Sequence, residues 1–229
     1  MLPLRDNIPT RRFPVVTVAI IILNVLVFLL ELLLQAGGSL GEFFMNWGVV
    51  PYELTQQFGL HALVTLFTSL FVHGGFMHIL GNMLYLWIFG NNVEDLMGRW
   101  KFTIFYLLCG VLAGLAQVAA GPRSEIPAIG ASGAIAGVLG AYLVLFPRAR
   151  VATLVFLGIF VRIANLPAVL VLGFWFVLQL LNGVLSVATF ESGGVAWFAH
   201  IGGFVAGMLL VWLFARRPRP PMRFYPPRR

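Results

Sequence analysis

The feature that most limits what this chain can become is a series of apolar runs, each about 20 residues long, the length a helix needs to cross a hydrocarbon core of roughly 30 Å. They fall at Pro14–Leu34, Phe76–Val93, Trp100–Ala120, Ile129–Phe146, Leu166–Thr189 and Val195–Phe214. Only 10% of the 229 residues are charged and the mean hydropathy is +0.93, whereas an ordinary soluble domain carries about 25% charged residues. The chain therefore reads as an integral membrane protein. The first run follows Arg5, Arg11 and Arg12 but exceeds the apolar core of roughly 7–15 residues in a secretory signal, so it is read as a retained span. Two shorter apolar stretches, Leu60–Val72 and Val151–Val161, do not reach across and are read as interfacial or re-entrant. Cys109 is the only cysteine, which excludes an internal disulfide and a thiolate metal cluster; mid-span, it reads as a packing residue.

Lys and Arg collect in cytoplasmic loops, so their positions orient the spans. Arg5, Arg11, Arg12, Arg99, Lys101, Arg148, Arg150, Arg162 and the six arginines from Arg216 to Arg229 fall on one side of a six-span drawing, and only Arg123 falls on the other. Both termini are thus expected in the cytoplasm. The net charge of +7 follows from topology and implies no nucleic-acid partner. The expected layout is a cytoplasmic segment over 1–13, a six-helix bundle over 14–215 and a basic cytoplasmic tail over 216–229, read as an unstructured stop to the last helix. The segment from Ala36 to Gly75 lies outside the cytoplasm, and Trp47, Tyr52 and its phenylalanines mark it as an ordered, membrane-associated loop.

Against this apolar background the polar residues stand out. His78 and Asn82 sit near the start of the second span, Ser132 near the start of the fourth and His200 near the start of the sixth. All three spans begin on the non-cytoplasmic side. Four to seven residues into a helix is a depth of roughly 5–10 Å, so the four groups share one level. A lone serine in a membrane helix ordinarily bonds back to its own helix, and His78 with Asn82, at i and i+4 on one face, can simply tie two helices together. Interhelical hydrogen bonds in membranes average only about 0.6 kcal/mol, however, and intramembrane ionisable groups are costly. Four such groups at one depth point to chemistry.

Ser132 lies in Gly130-Ala-Ser-Gly133 at a helix start, where the first backbone N–H groups lack intrahelical partners and can stabilise an oxyanion. His200 is the candidate base for Ser132; His78, Asn82 and the Ser132 N–H are candidate oxyanion donors. The fourth span carries Gly133, Gly137 and Gly140 and the sixth carries Gly203 and Gly207, each at the small-residue spacing that lets helix backbones approach closely, which supports bringing Ser132 and His200 together. Of the eight acids only Glu31 lies within a span near the outer face, so a Ser-His dyad without a carboxylate is expected.

Three stretches together, His73-Gly-Gly-Phe-Met-His78-Ile-Leu-Gly-Asn82, Gly130-Ala-Ser132-Gly-Ala-Ile-Ala-Gly and Ala199-His200-Ile-Gly-Gly-Phe-Val-Ala-Gly207, resemble the rhomboid family of intramembrane serine proteases. The resemblance spans Leu60 to Phe214 and includes the long first external loop and the Glu94 to Lys101 connection. It implies a six-helix bundle with a water-filled cavity open to the outside. Ser132 would be the nucleophile, His200 the base, His78, Asn82 and the Ser132 N–H the oxyanion donors, and His73 a structural histidine. It also implies single-span membrane proteins as substrates and no cofactor. The expected location is a prokaryotic plasma membrane. One departure is Ala136, where some members carry a tyrosine that stacks on the catalytic histidine; Trp197 and Phe204 are candidate replacements.

A transporter would need polar groups in the cytoplasmic halves of these spans, which are nearly all apolar. An inactive relative that binds and escorts membrane helices would ordinarily lack the serine or the histidine. Zinc and aspartyl chemistries lack their residues, because there is no His-Glu-x-x-His and no aspartate within a span.

Overall fold

A computed structural model describes residues 1–157, 160–188 and 195–215; Thr189, Glu191 and the basic tail from 216 to 229 lie outside the described residues. The first span is α1 (Val15–Ala36). Its inward stripe, Thr17, Ile20, Asn24, Phe28 and Glu31, recurs every three or four residues, while Leu26, Leu29 and Leu33 point outward and are exposed. That is the pattern of a helix with one face on a bundle and the rest on lipid. No side chain of its own caps α1.

Between the first and second spans the chain folds into α2 (Leu40–Trp47), α3 (Pro51–Gln56) and α4 (Leu60–Thr68), the last continued by a 3₁₀ turn, Ser69–Phe71. The Leu60–Phe71 unit meets the next helix at 81°, so the Leu60–Val72 stretch, expected not to cross alone, forms one limb of a bend. The second span is α5 (Phe76–Tyr85), a π turn at Leu86–Gly90 and α6 (Asn91–Met97) in one run; it extends four residues past the expected end at Val93. Glu94 of α6 supplies the cap that α1 lacks, its two carboxylate oxygens accepting the Val16 and Thr17 N–H groups at 3.0 and 2.8 Å. A buried carboxylate on the first N–H groups of a helix satisfies orphan donors and opposes the positive end of the helix dipole.

The remaining helices are α7 (Arg99–Ala120), α8 (Ser132–Leu145), α9 (Ala168–Ala188) and α10 (Trp197–Phe214). Four described helices are long and apolar enough to cross a membrane, and a fifth span is present if the bent pair counts as one. The expected fourth span, Ile129–Phe146, contracts to the 14 residues of α8, about 21 Å of helix, because Ile129 to Ala131 belong to the preceding loop. Every residue from Gly133 to Tyr142 is buried. This helix sees protein on all sides.

The described residues of the Val151–Val161 stretch are strand: Val151 to Leu157 lie in β2 (Arg150–Leu157), and Phe160 and Val161 open β3 (Phe160–Pro167), which pairs antiparallel with it; α9 starts at Ala168, two residues later than expected. The first residues of the chain add β1 (Leu2–Asp6) to β2, giving a three-stranded sheet in the order β1-β2-β3. Asp6 anchors this strand to the bundle by accepting hydrogen bonds from Asn92 and from the Tyr142 hydroxyl. Burial raises the Asp6 pKa above its ordinary value, and the bond from Tyr142 works against that rise.

The core of the bundle is the crossing of α8 and α10. A Cβ placed on Gly207 would lie 1.9 Å from the Gly137 carbonyl oxygen, one on Gly203 2.0 Å from the Gly133 oxygen, and one on Gly140 2.2 Å from the Phe204 oxygen. The two backbones touch, and only hydrogen fits between them. Gly207→Leu must therefore spread the crossing and is expected to destabilise the protein by about 2–3 kcal/mol, an overpacking cost. Gly173→Ala, in α9 with nothing within 4 Å of the new methyl, is expected to leave the midpoint unchanged or raise it slightly. Thermal unfolding in detergent compares the two, and equal midpoints would show that the crossing has slack.

Candidate active site

Ser132 is the first residue of α8, and the loop before it is pinned from two sides. Val49 and Ala128 form a two-bond bridge at 2.9 and 2.8 Å, and the Gly130 N–H donates to the Ser69 carbonyl at 2.9 Å. The link between α2 and α3 and the 3₁₀ turn after α4 thus hold the approach to α8. At Gly130 the chain turns with φ +122°, and a Cβ there would fall 2.7 Å from His78 Nε2 and 3.6 Å from Ser132 Oγ. Glycine is required both by the backbone and by the ring that fills the space.

His200, the fourth residue of α10, is brought to Ser132 by the glycine crossing, with Nε2 2.7 Å from Ser132 Oγ. The pair lies in a cavity of about 610 Å³ that also exposes His78, Asn82, Met77, Tyr85, Ile135 and Trp175. Asn82 is buried and its Nδ2 has no hydrogen-bond partner, an unspent donor in the wall of that cavity. His78 Nδ1 accepts the Gly74 N–H at 3.2 Å, so the hydrogen of a neutral His78 ring sits on Nε2, the atom beside Gly130. The Ser132 N–H, at the first helical position, has no intrahelical acceptor. All three donors belong to residues that line the cavity holding the serine hydroxyl. Ser132 opens its helix instead of lying a turn inside it, because Ile129 to Ala131 belong to the preceding loop.

His73 lies just before α5. Its backbone N–H donates to Glu31 Oε1 of α1 at 2.9 Å, and its ring packs edge-on against His78 at 5.0 Å. It contacts neither Ser132 nor His200 but buttresses His78. Glu31 gives Oε1 to this loop, and its buried Oε2 has no hydrogen-bond partner among the described residues. Gly133 and Gly203 meet beside the Ser132–His200 pair, while Gly207 lies one turn further along α10.

Two residues of α9 complete the surroundings of His200. Trp175 lies 5.8 Å from the His200 ring with planes 38° apart, and Trp197 approaches edge-on at 6.2 Å. Phe204 instead stacks on Phe176 at 4.5 Å and touches His200 only through Trp175. The rings beside His200 are therefore tryptophans, Trp175 of α9 and Trp197 of α10. Gln179, which sequence reasoning passed over, places Oε1 2.8 Å from His200 Nδ1. The signal was there: an amide in the middle of an apolar span, one helical turn after a tryptophan.

Residues 60–217 match the Rhomboid domain family. The chain is 29% identical over 171 residues to "Rhomboid protein 1, mitochondrial" of Saccharomyces cerevisiae, covering 72% of this chain and 46% of that protein. It is 31% identical over 196 residues to "Rhomboid protease GluP" of Bacillus subtilis, covering 85% of this chain and 34% of the other. To "Rhomboid-like protein 11, chloroplastic" of Arabidopsis thaliana it is 27% identical over 193 residues, 79% of this chain and 62% of that one. Relatives thus come from organelles as well as from a bacterium, and the chain spans less than half the length of the first two. Because the match takes in the serine of α8, the histidine of α10 and the helices that join them, the chain belongs to the rhomboid family of integral membrane proteins.

Proposed function

We propose that this protein is an intramembrane serine endopeptidase that hydrolyses peptide bonds in or near the transmembrane segments of single-span membrane proteins, with Ser132 as nucleophile and His200 as general base. The observation that carries the reading is the 2.7 Å contact between Ser132 Oγ and His200 Nε2 on the wall of a cavity lined by unspent donors. The likeness to a protein named as a rhomboid protease supports it.

In the proposed reaction Ser132 Oγ attacks the substrate carbonyl carbon while His200 Nε2 takes the hydroxyl proton. The carbonyl π pair moves to oxygen, and the Ser132 N–H, His78 Nε2–H and Asn82 Nδ2–H face that oxyanion. Collapse expels the amine, which receives the proton from His200 and leaves an acyl-serine. Water then repeats the sequence and releases the acid. An extended substrate backbone is required, and a segment that unwinds easily meets that need where an unbroken helix in lipid does not. We place the protein in a prokaryotic plasma membrane, and the arginine asymmetry supports six spans with both termini cytoplasmic.

Cleavage of a labelled transmembrane substrate in detergent tests the assignment. Ser132→Ala and His200→Ala are each expected to abolish cleavage with unchanged thermal stability. Persistent cleavage by Ser132→Ala would refute the nucleophile, and a wild type that binds the helix without cutting it would favour the escort reading. Asn82→Ala is expected to lower kcat by about 10²-fold, the usual loss for one oxyanion donor. Glu31→Gln keeps an acceptor for the His73 N–H and should stay within a few-fold of wild type, whereas a loss on the order of a thousandfold would return a carboxylate to the mechanism.

A further inference from the structure

His200 needs something to choose which ring nitrogen carries its hydrogen, and among the described residues no carboxylate bonds to it. A chain of hydrogen bonds decides the matter by elimination. Gln179 is buried, and its Nε2 lies 2.9 Å from the backbone carbonyl oxygen of Trp175. A carbonyl oxygen only accepts, so this end of the amide must be the NH₂, and the orientation of the side chain is fixed by its own helix. Its other end, Oε1, also only accepts, and it faces His200 Nδ1 at 2.8 Å. Nδ1 must therefore bear the hydrogen. A neutral imidazole has one, so Nε2 presents its lone pair to Ser132 Oγ at 2.7 Å, and the serine must donate.

We propose that Gln179 is the positioning residue for the base: a neutral amide, locked by the Trp175 carbonyl, holds His200 in the Nδ1–H tautomer that can accept the Ser132 proton. The proposal rests on the Ser132–His200 reading. No step in it changes the proton count. The amide stays neutral throughout, and when Nε2 gains the serine proton the Nδ1–H bond to Gln179 remains as it was. The Trp175 ring beside His200 limits rotation of the imidazole about its own bonds. Gln117 of α7 accepts the Ala199 N–H at 3.2 Å and holds the first turn of α10. Gln179 therefore sets the ring's hydrogen and its azimuth, while the helix crossing sets its distance.

Two variants and one spectroscopic readout test this. Gln179→Met has nearly the same length and no hydrogen-bonding group at the end; it is expected to lower kcat by about 10²-fold, the scale of a general-base contribution, with KM within about twofold of wild type. Gln179→Glu, as the neutral acid whose hydroxyl donates to the Trp175 carbonyl, keeps an oxygen facing Nδ1 and is expected to recover most of that loss. In wild-type protein carrying ¹⁵N-labelled histidine, with His200→Ala identifying the resonance, Nδ1 of His200 is expected to be the protonated nitrogen near neutral pH. The proposal is overturned by an Nε2–H tautomer in the wild type, by full kcat in Gln179→Met, by equal losses in Met and Glu, or by an effect confined to KM. If Gln179→Met does not fold, the wild-type spectrum alone decides. If the wild type cleaves nothing, the protease reading fails while the tautomer remains readable, so the two failures are distinct.

Discussion

The backbone contact between α8 and α10 is the constraint on which everything else in this protein depends. Within lipid, helices gain little from burying apolar surface against each other, and association rests on close packing of small residues. Here that logic is taken to its limit: the Gly133 and Gly137 carbonyls lie where side chains on Gly203 and Gly207 would go, and the Phe204 carbonyl lies where one on Gly140 would go. The catalytic candidates ride on this contact, Ser132 at the head of one helix and His200 one turn into the other. Their separation is therefore a property of two backbones and not of two flexible side chains, which is what a reaction needing near-attack geometry requires.

A consequence is that α8 is freed from the lipid problem. At 14 residues it is shorter than the bilayer is thick, and its burial on all sides removes any need to match that thickness. A short central helix leaves room above its N-terminus, and the cavity beside Ser132 occupies that room. Hydrolysis within a membrane protein needs such a space, because a reacting water and an oxyanion both require polar surroundings that lipid does not offer. The first turn of α8 supplies them without any charged residue.

Much of this was legible in the sequence because membrane helices penalise polar groups so heavily. His78, Asn82, Ser132 and His200 stand out against apolar runs, and the glycine spacing announces which helices meet. The sheet was not legible. Val151–Val161 is an apolar run of a length that strand and buried helix share, and the partner that makes it a strand, Leu2–Asp6, lies about 150 positions away in sequence. Local pattern carries no trace of that pairing. Gln179 was missed for another reason: it lies in the fifth span, whose other residues gave no hint of facing the site, and amides attract less notice than ionisable groups. The role expected for Trp197 or Phe204 fell mainly to Trp175 because ring contacts across helices depend on rotation about each helix axis, which hydropathy does not fix.

The choice of an amide over a carboxylate beside His200 follows from what burial costs. The buried carboxylates here lean on backbone donors: Glu94 spends both oxygens on N–H groups at the head of α1, while Glu31 takes the N–H of His73 with Oε1 and leaves Oε2 without a partner. Such bonds are what make a buried anion tolerable. The position against His200 Nδ1 offers one donor from the imidazole and, from the Trp175 side, only another acceptor. A carboxylate there would set its second oxygen against a carbonyl oxygen, with an unpaired charge deep in the protein. An amide has a donor for that carbonyl and an acceptor for the imidazole, so every atom is matched. The site gives up the extra stabilisation that a carboxylate lends to an imidazolium and gains a neutral network that survives in a membrane with no counter-ion at hand.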